Sequence, residues 1–96
     1  MREAFVASLV WEGTQGGGLY ADDIGLIFAA QKLTMPEYLK LIKMPYRDMR
    51  IVRCSRAFVF PAVEITMKSG EVHELIVFER RRILQILKSK NVLIVK

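Results

Sequence analysis

Twelve residues, 17–28, reading GGLYADDIGLIF, constrain the fold of this chain more than any other stretch. A glycine pair leads an apolar strand (Leu19, Tyr20, Ala21), Asp22 and Asp23 supply a turn, and a second apolar strand follows. Aspartate carboxylates accept hydrogen bonds from nearby backbone amides, and aspartate tolerates left-handed dihedrals. An Asp pair between two apolar runs therefore marks a β-hairpin.

The rest of the chain continues in the same key until its last quarter. Residues 3–11 (EAFVASLVW) mix apolar and small residues without helical punctuation and predict a first strand. Residues 12–18 hold four glycines and predict a loop free to take positive φ. Between residues 32 and 44, Pro36 can open a short helix at Glu37; a loop with one helical turn and an irregular strand fit the same residues. Residues 50–54 (RIVRC) read as a strand and 55–58 (SRAF) as a turn. Residues 59–68 and 71–78 form the clearest strand pair, with Pro61 requiring an edge, a bulge or a strand's beginning because it cannot donate to a ladder.

Parity selects the turn between those two strands. A Ser69-Gly70 turn would set Ile65 opposite Glu74. A three-residue loop, Lys68-Ser69-Gly70 with Gly70 left-handed, pairs Met67 with Glu71, Val63 with Leu75 and Ile65 with His73, so the apolar residues share a face. The longer loop is favoured, at the cost of Glu64 opposite Glu74, a like-charge pair that wants a cation on the next strand. After Phe78 the period becomes helical: Ile83, Leu84, Ile86 and Leu87 fit one side of a helix over about 79–90, with Asn91 as its C-cap. Arg80, Arg81 and Arg82 in its first turn oppose the helix dipole, offset only by Glu79. The apolar tail VLIV at 92–95 must dock somewhere.

Ninety-six residues make one domain, 1–96, and 52% hydrophobic with 26% charged residues is a globular composition. The single cysteine, Cys54, permits no internal disulfide, and nothing in it calls for an oxidising compartment. No apolar run approaches the ~20 residues that span a bilayer. The apolar part of the first thirteen residues is short and interrupted, a strand rather than a signal peptide, so a cytoplasmic location is the expectation. The net charge of +5 is unevenly spread. Residues 1–31 carry one base against four acids, net −3; residues 32–96 carry fourteen bases against six acids, net +8. Such asymmetry suits an anionic partner, or a solvated surface whose basic part pairs with the acidic third.

No catalytic constellation emerges. His73 is the one histidine and has no second ligand beside it; Cys54 reads as a small apolar residue. Asp22 and Asp23 are turn residues, and GTQGGG lacks the Lys-Ser/Thr of a phosphate loop. No enzyme activity, cofactor or metal is expected. Arg53, Arg56, Arg80, Arg81 and Arg82 are the candidates for an anionic surface, although arginines spaced by three (47, 50, 53, 56) scatter over both faces of a strand. Trp11 with Gly16 and Gly17 is the candidate interaction loop. Nucleic acid is not expected, because Phe58 and Phe60, the aromatics beside the basic strand, suit a core or a hydrophobic hinge.

The order of these elements, six or seven short strands and then one amphipathic helix, resembles that of the pleckstrin-homology-like barrel. GGLYADDIGLIF resembles the GRAM and bacterial pleckstrin-homology-like pattern of a glycine, a Leu-Tyr strand, a polar turn and a Leu-Ile-Phe strand. MPYRDM (residues 44–49) is similar to that family's entry into the next strand, and AVEITMKSGEVHELIVFERRRILQIL to its final hairpin and helix. The resemblance covers about residues 5–90. It implies a mainly β domain, a split barrel of six to seven antiparallel strands over residues 3–78 capped by the helix. It also implies a non-catalytic binding module, with protein–protein binding or self-association as the favoured role. The alternative is peripheral binding to anionic lipid through the basic half. Many members place a cation in the first hairpin turn, where this chain reads Asp-Asp-Ile-Gly, and no base occurs from Glu3 to Gln31. Without charge-assisted hydrogen bonds there, the family's usual headgroup pocket is not expected to work.

Overall fold

The computed structural model describes residues 2–32 and 34–96; Met1 and Leu33, each inside a segment assigned from sequence, lie outside the described residues. Eight strands among the described residues form one sheet: β1 (Glu3–Val10), β2 (Thr14–Ala21), β3 (Gly25–Ala30), β4 (Leu41–Pro45), β5 (Met49–Ala57), β6 (Phe60–Met67), β7 (Val72–Val77) and β8 (Ile94–Val95). A single turn of helix, α1 (Glu37–Lys40), precedes β4, and the main helix α2 (Arg80–Ser89) precedes β8. The strand order is β4-β3-β2-β1-β7-β6-β5-β8. The protein is thus mainly β with one substantial helix near the C-terminus, as expected. The split barrel of six to seven antiparallel strands is not what the strand pairing shows: among the described residues the sheet is open, has eight strands, and its last pair, β5 with β8, is parallel.

Alternation explains the burial. Phe5, Ala7 and Leu9 on β1, Leu19 and Ala21 on β2, Leu26 and Phe28 on β3 all face one side. They share one cluster with Val52, Val63, Ile65, Leu75 and Val77 from the other half of the sheet and with Ile83, Ile86 and Leu87 of α2. Since residues of β1 through β7 meet in one cluster, the sheet curls around a single core and α2 packs into it. Burying Ile83 and Leu87 completely contributes about 1.5–3 kcal/mol each.

The hairpin at 17–28 forms as expected. Leu19 pairs with Phe28 and Ala21 with Leu26. Asp22 Oδ1 accepts hydrogen bonds from the amides of Ile24 (2.9 Å) and Gly25 (3.0 Å), which hold its carboxyl below the usual carboxylate range. Tyr46 donates its hydroxyl to the Asp22 carbonyl at 2.8 Å. Burial, with the neighbouring acids second, pushes that phenol up to about 12. The β6–β7 loop is the three-residue one: Met67 N–H donates to Glu71 O, Gly70 has φ 99°, and Val63↔Leu75, Glu64↔Glu74 and Ile65↔His73 are in register. The cation that the Glu64–Glu74 pair wants stands on β5, where Arg53 pairs with Glu64.

Two local expectations are corrected. The glycines 16–18 are not loop but β2, and at Gly17 the missing side chain is what matters: a Cβ there would lie 2.3 Å from the Ala29 carbonyl oxygen and against the Phe28 ring. Residues 55–57 continue β5, so the turn is Phe58-Val59. Pro61 sits at the start of β6, an interior strand, satisfying the third of its three alternatives. For residues 32–44 the helix and the strand both occur, as α1 and β4.

Candidate functional site

Helix α2 sorts its cations onto two flanks. On one flank Arg82 donates to both carboxylate oxygens of Glu3, at 2.9 and 2.6 Å, and holds that carboxyl below its ordinary value. Lys90 on the same side lies 3.8 Å from Asp23 and over the Tyr46 ring. The acidic N-terminal third is therefore spent, in part, on this flank. On the other flank Arg81 and Lys88 stand seven residues apart, two helical turns, with no ion pair among the described residues.

Arg80 has a third role. Its Nη1 donates to the carbonyls of Ser55 (2.8 Å) and Ala62 (3.2 Å), tying the start of α2 to β5 and β6. These contacts account for a first helical turn that carries three arginines and no side-chain cap. The five arginines expected to bind one anionic surface are thus not brought together. Arg82 is neutralised by Glu3, Arg53 sits beside Glu64, Arg80 is hooked to backbone, and Arg56 and Arg81 stand exposed without ion pairs among the described residues.

The other end of α2 is capped at Lys90, one residue before the expected Asn91, which instead follows the cap as a left-handed residue (φ 62°). Asn91 N–H donates to Lys88 O and Val92 N–H to Leu87 O, a Schellman motif that turns the tail back. Val52 N–H then donates to Leu93 O and Ile94 pairs with Val52, so the apolar tail docks as β8 on the edge of β5. Between α2, β8 and the start of β6 lies a groove of about 830 Å³. Cys54, half-buried, lines it.

The outer face of the sheet carries a second feature. By strand parity Val6, Phe60 and Phe78 point away from the core, and the Phe60 and Phe78 rings meet edge-to-face at 5.5 Å. Val6 is 80% exposed, Phe78 67%, Phe58 68% and Val59 80%. Beneath them Ala57, Ala62 and Ile76 form a small cluster separate from the main core. Phe58 and Phe60 are therefore not core, which removes the first of the two roles the sequence offered them. Phe58 also has φ 60°, at the first position of a two-residue hairpin loop, where a bulky residue is strained and glycine is the favoured choice.

The expected interaction loop is partly dissolved. Gly16 and Gly17 lie inside β2, and Trp11 packs against the core cluster in the β1–β2 turn. The buried Gln15 amide donates to the Trp11 carbonyl at 3.1 Å and braces that turn. His73 is half-buried, which lowers its pKa, and no cluster of metal-ligating side chains occurs among the described residues. No helix among the described residues is long and apolar enough to cross a membrane. Sequence reading places Leu84 only on the helix's apolar side and does not single out Lys88 or Lys96, because only the return of the tail brings all three to one groove.

Comparison with known proteins adds the fold alone. No protein-family model matches the chain, and no curated protein matches it. A solved structure, the C-terminal domain of an unknown protein from Leishmania infantum, superposes with a TM-score of 0.73 at 16% identity, over 91% of this chain and 79% of that one. The class defined by these observations is a small, β-rich, one-helix domain with exposed aromatic and basic faces.

Proposed function

We propose that the chain is a non-catalytic interaction module of pleckstrin-homology/GRAM-like kind, a split barrel opened at one edge, that associates with a second copy of itself through the outer-face patch around Phe58. The observation that carries this reading is Phe58 itself: a mostly exposed phenylalanine in a left-handed turn, at a cost of order 1–3 kcal/mol. Strain of that size is retained where the residue has a task. Pairing through a two-fold axis would bury Val6, Phe58, Val59 and Phe78 of both copies, and exposed apolar patches of this sort mark contact surfaces.

Phe58→Gly tests the reading, because it removes the ring and relieves the strain together. The expected result is a higher melting temperature than wild type and loss of a concentration-dependent rise in mass by light scattering. A wild-type protein that stays strictly monomeric over a hundredfold concentration range would sink it. The exposed cations Arg56 and Arg81 favour a second reading, attachment to an anionic bilayer with the Phe58 turn inserted beside them. In that case Phe58→Gly and Arg81→Glu each reduce co-sedimentation with phosphatidylserine vesicles, and added salt does the same. Failure of wild type to sediment at low salt would exclude it.

A further inference from the structure

We propose that the groove between α2, β8 and the start of β6 is a binding site for a single-chain amphipathic anion, a molecule with one acidic head and one hydrocarbon tail. Its charged side chains are Arg80, Arg81, Lys88 and Lys96, with no aspartate or glutamate among the lining residues. The opposite flank of the same helix is neutralised by Glu3 and Asp23, so this absence is a property of one side. Like charges gathered around one concavity repel each other, and an anion placed among them relieves that repulsion. Arginine and lysine together suit a carboxylate or phosphate head.

The rest of the lining is apolar. Leu84 and Ile94 are packed against the core cluster from the groove side, while Leu93 stands 61% exposed there. A free inorganic anion would leave that wall in water, and a neutral lipid would leave the cations unmatched. The volume of about 830 Å³ falls within the ~300–1,000 Å³ of ordinary small-molecule sites. The site depends on β8, since pairing of the tail with β5 supplies one wall. It lies away from the β1–β2 and β2–β3 turns, and it shares only Phe78 with the outer-face patch, involving neither Phe58 nor Val6.

Calorimetric titration with dodecyl phosphate and with dodecanoate, both below their micelle concentrations, tests the site. Saturable one-to-one binding is expected, with a rise in melting temperature as ligand stabilises the folded state. The double variant Arg81→Glu/Lys88→Glu should lose affinity at least tenfold. Leu93→Ser, at an exposed position, should weaken dodecyl phosphate several-fold. Cys54 lines the groove and provides an independent readout: ligand should slow its alkylation by iodoacetamide at least several-fold in wild type and not in the double variant. Equal affinity for dodecyl maltoside would reduce the groove to an apolar surface and overturn the proposal. Equal affinity for inorganic phosphate would overturn it as well, as would unsaturable binding or an unprotected Cys54. Binding by only one of the two anions supports the site and assigns its head group. Light scattering of Phe58→Gly reports on self-association separately, so either idea can fail without the other.

Discussion

Gly16 and Gly17 are neighbours in one strand, yet they answer to different forces. Gly17 admits the Ala29 carbonyl and the Phe28 ring where a Cβ would stand, while nothing lies within 4 Å of a Cβ on Gly16. Gly17→Ala should therefore destabilise by about 1–3 kcal/mol or more through overpacking. Gly16→Ala should stabilise by about 0.5–1 kcal/mol, because the unfolded chain loses freedom and the folded one loses nothing. Urea unfolding of the two variants checks both signs. His73 makes a pH statement at the same scale. Burial lowers its folded pKa below the ordinary histidine value of about 6.5, against a smaller opposing pull from Glu71. The unfolded chain then binds the proton more readily, so stability is full above about pH 6.5 and falls as pH drops through the lowered folded value. His73→Gln should flatten that limb of the stability–pH profile.

Among the elements, α2 is the one whose position matters most. Its apolar side is plain in the sequence at 83, 84, 86 and 87, and its end near Asn91 is equally plain. The Schellman closure places Asn91 in the left-handed region, which costs a non-glycine residue roughly 1–2 kcal/mol, less for asparagine. Asn91→Gly should raise the melting temperature, and Asn91→Val should lower stability by about 1–2 kcal/mol. Hairpins show the same contrast between what is local and what is not. The Asp22 turn and the Gly70 turn follow from their own residues, through side-chain acceptors and a left-handed glycine. The Phe58-Val59 turn violates the same chemistry, so the sequence places it two residues early, in SRAF.

For the whole molecule, the open sheet makes unequal stability a consequence of topology. The edges are β4 and the two-residue β8, while β1, β7 and β6 are paired on both sides. Amide hydrogen exchange should be slowest in β6 and β7 and fastest in β4 and β8, with β8 protection rising when the groove is occupied. Uniform protection across the sheet would contradict this. Charge follows a similar division. The net −3 and +8 segments of the sequence meet across α2, where Glu3 and Asp23 neutralise one flank and leave the other bare.

The sequence by itself determined most of the strands, the main helix with its apolar side, and the register of the β6–β7 hairpin. Those features rest on period, parity and turn chemistry, which act over a few residues. Only the tertiary structure decided that Arg82 is spent on Glu3, 79 positions away, and that Arg80 is a backbone tie. It alone opened the sheet, put Phe58 and Phe60 outside, and brought Lys88, Lys96 and Leu93 to one groove. Such choices depend on which distant charges and surfaces a curled sheet brings together, and no local pattern encodes that distance.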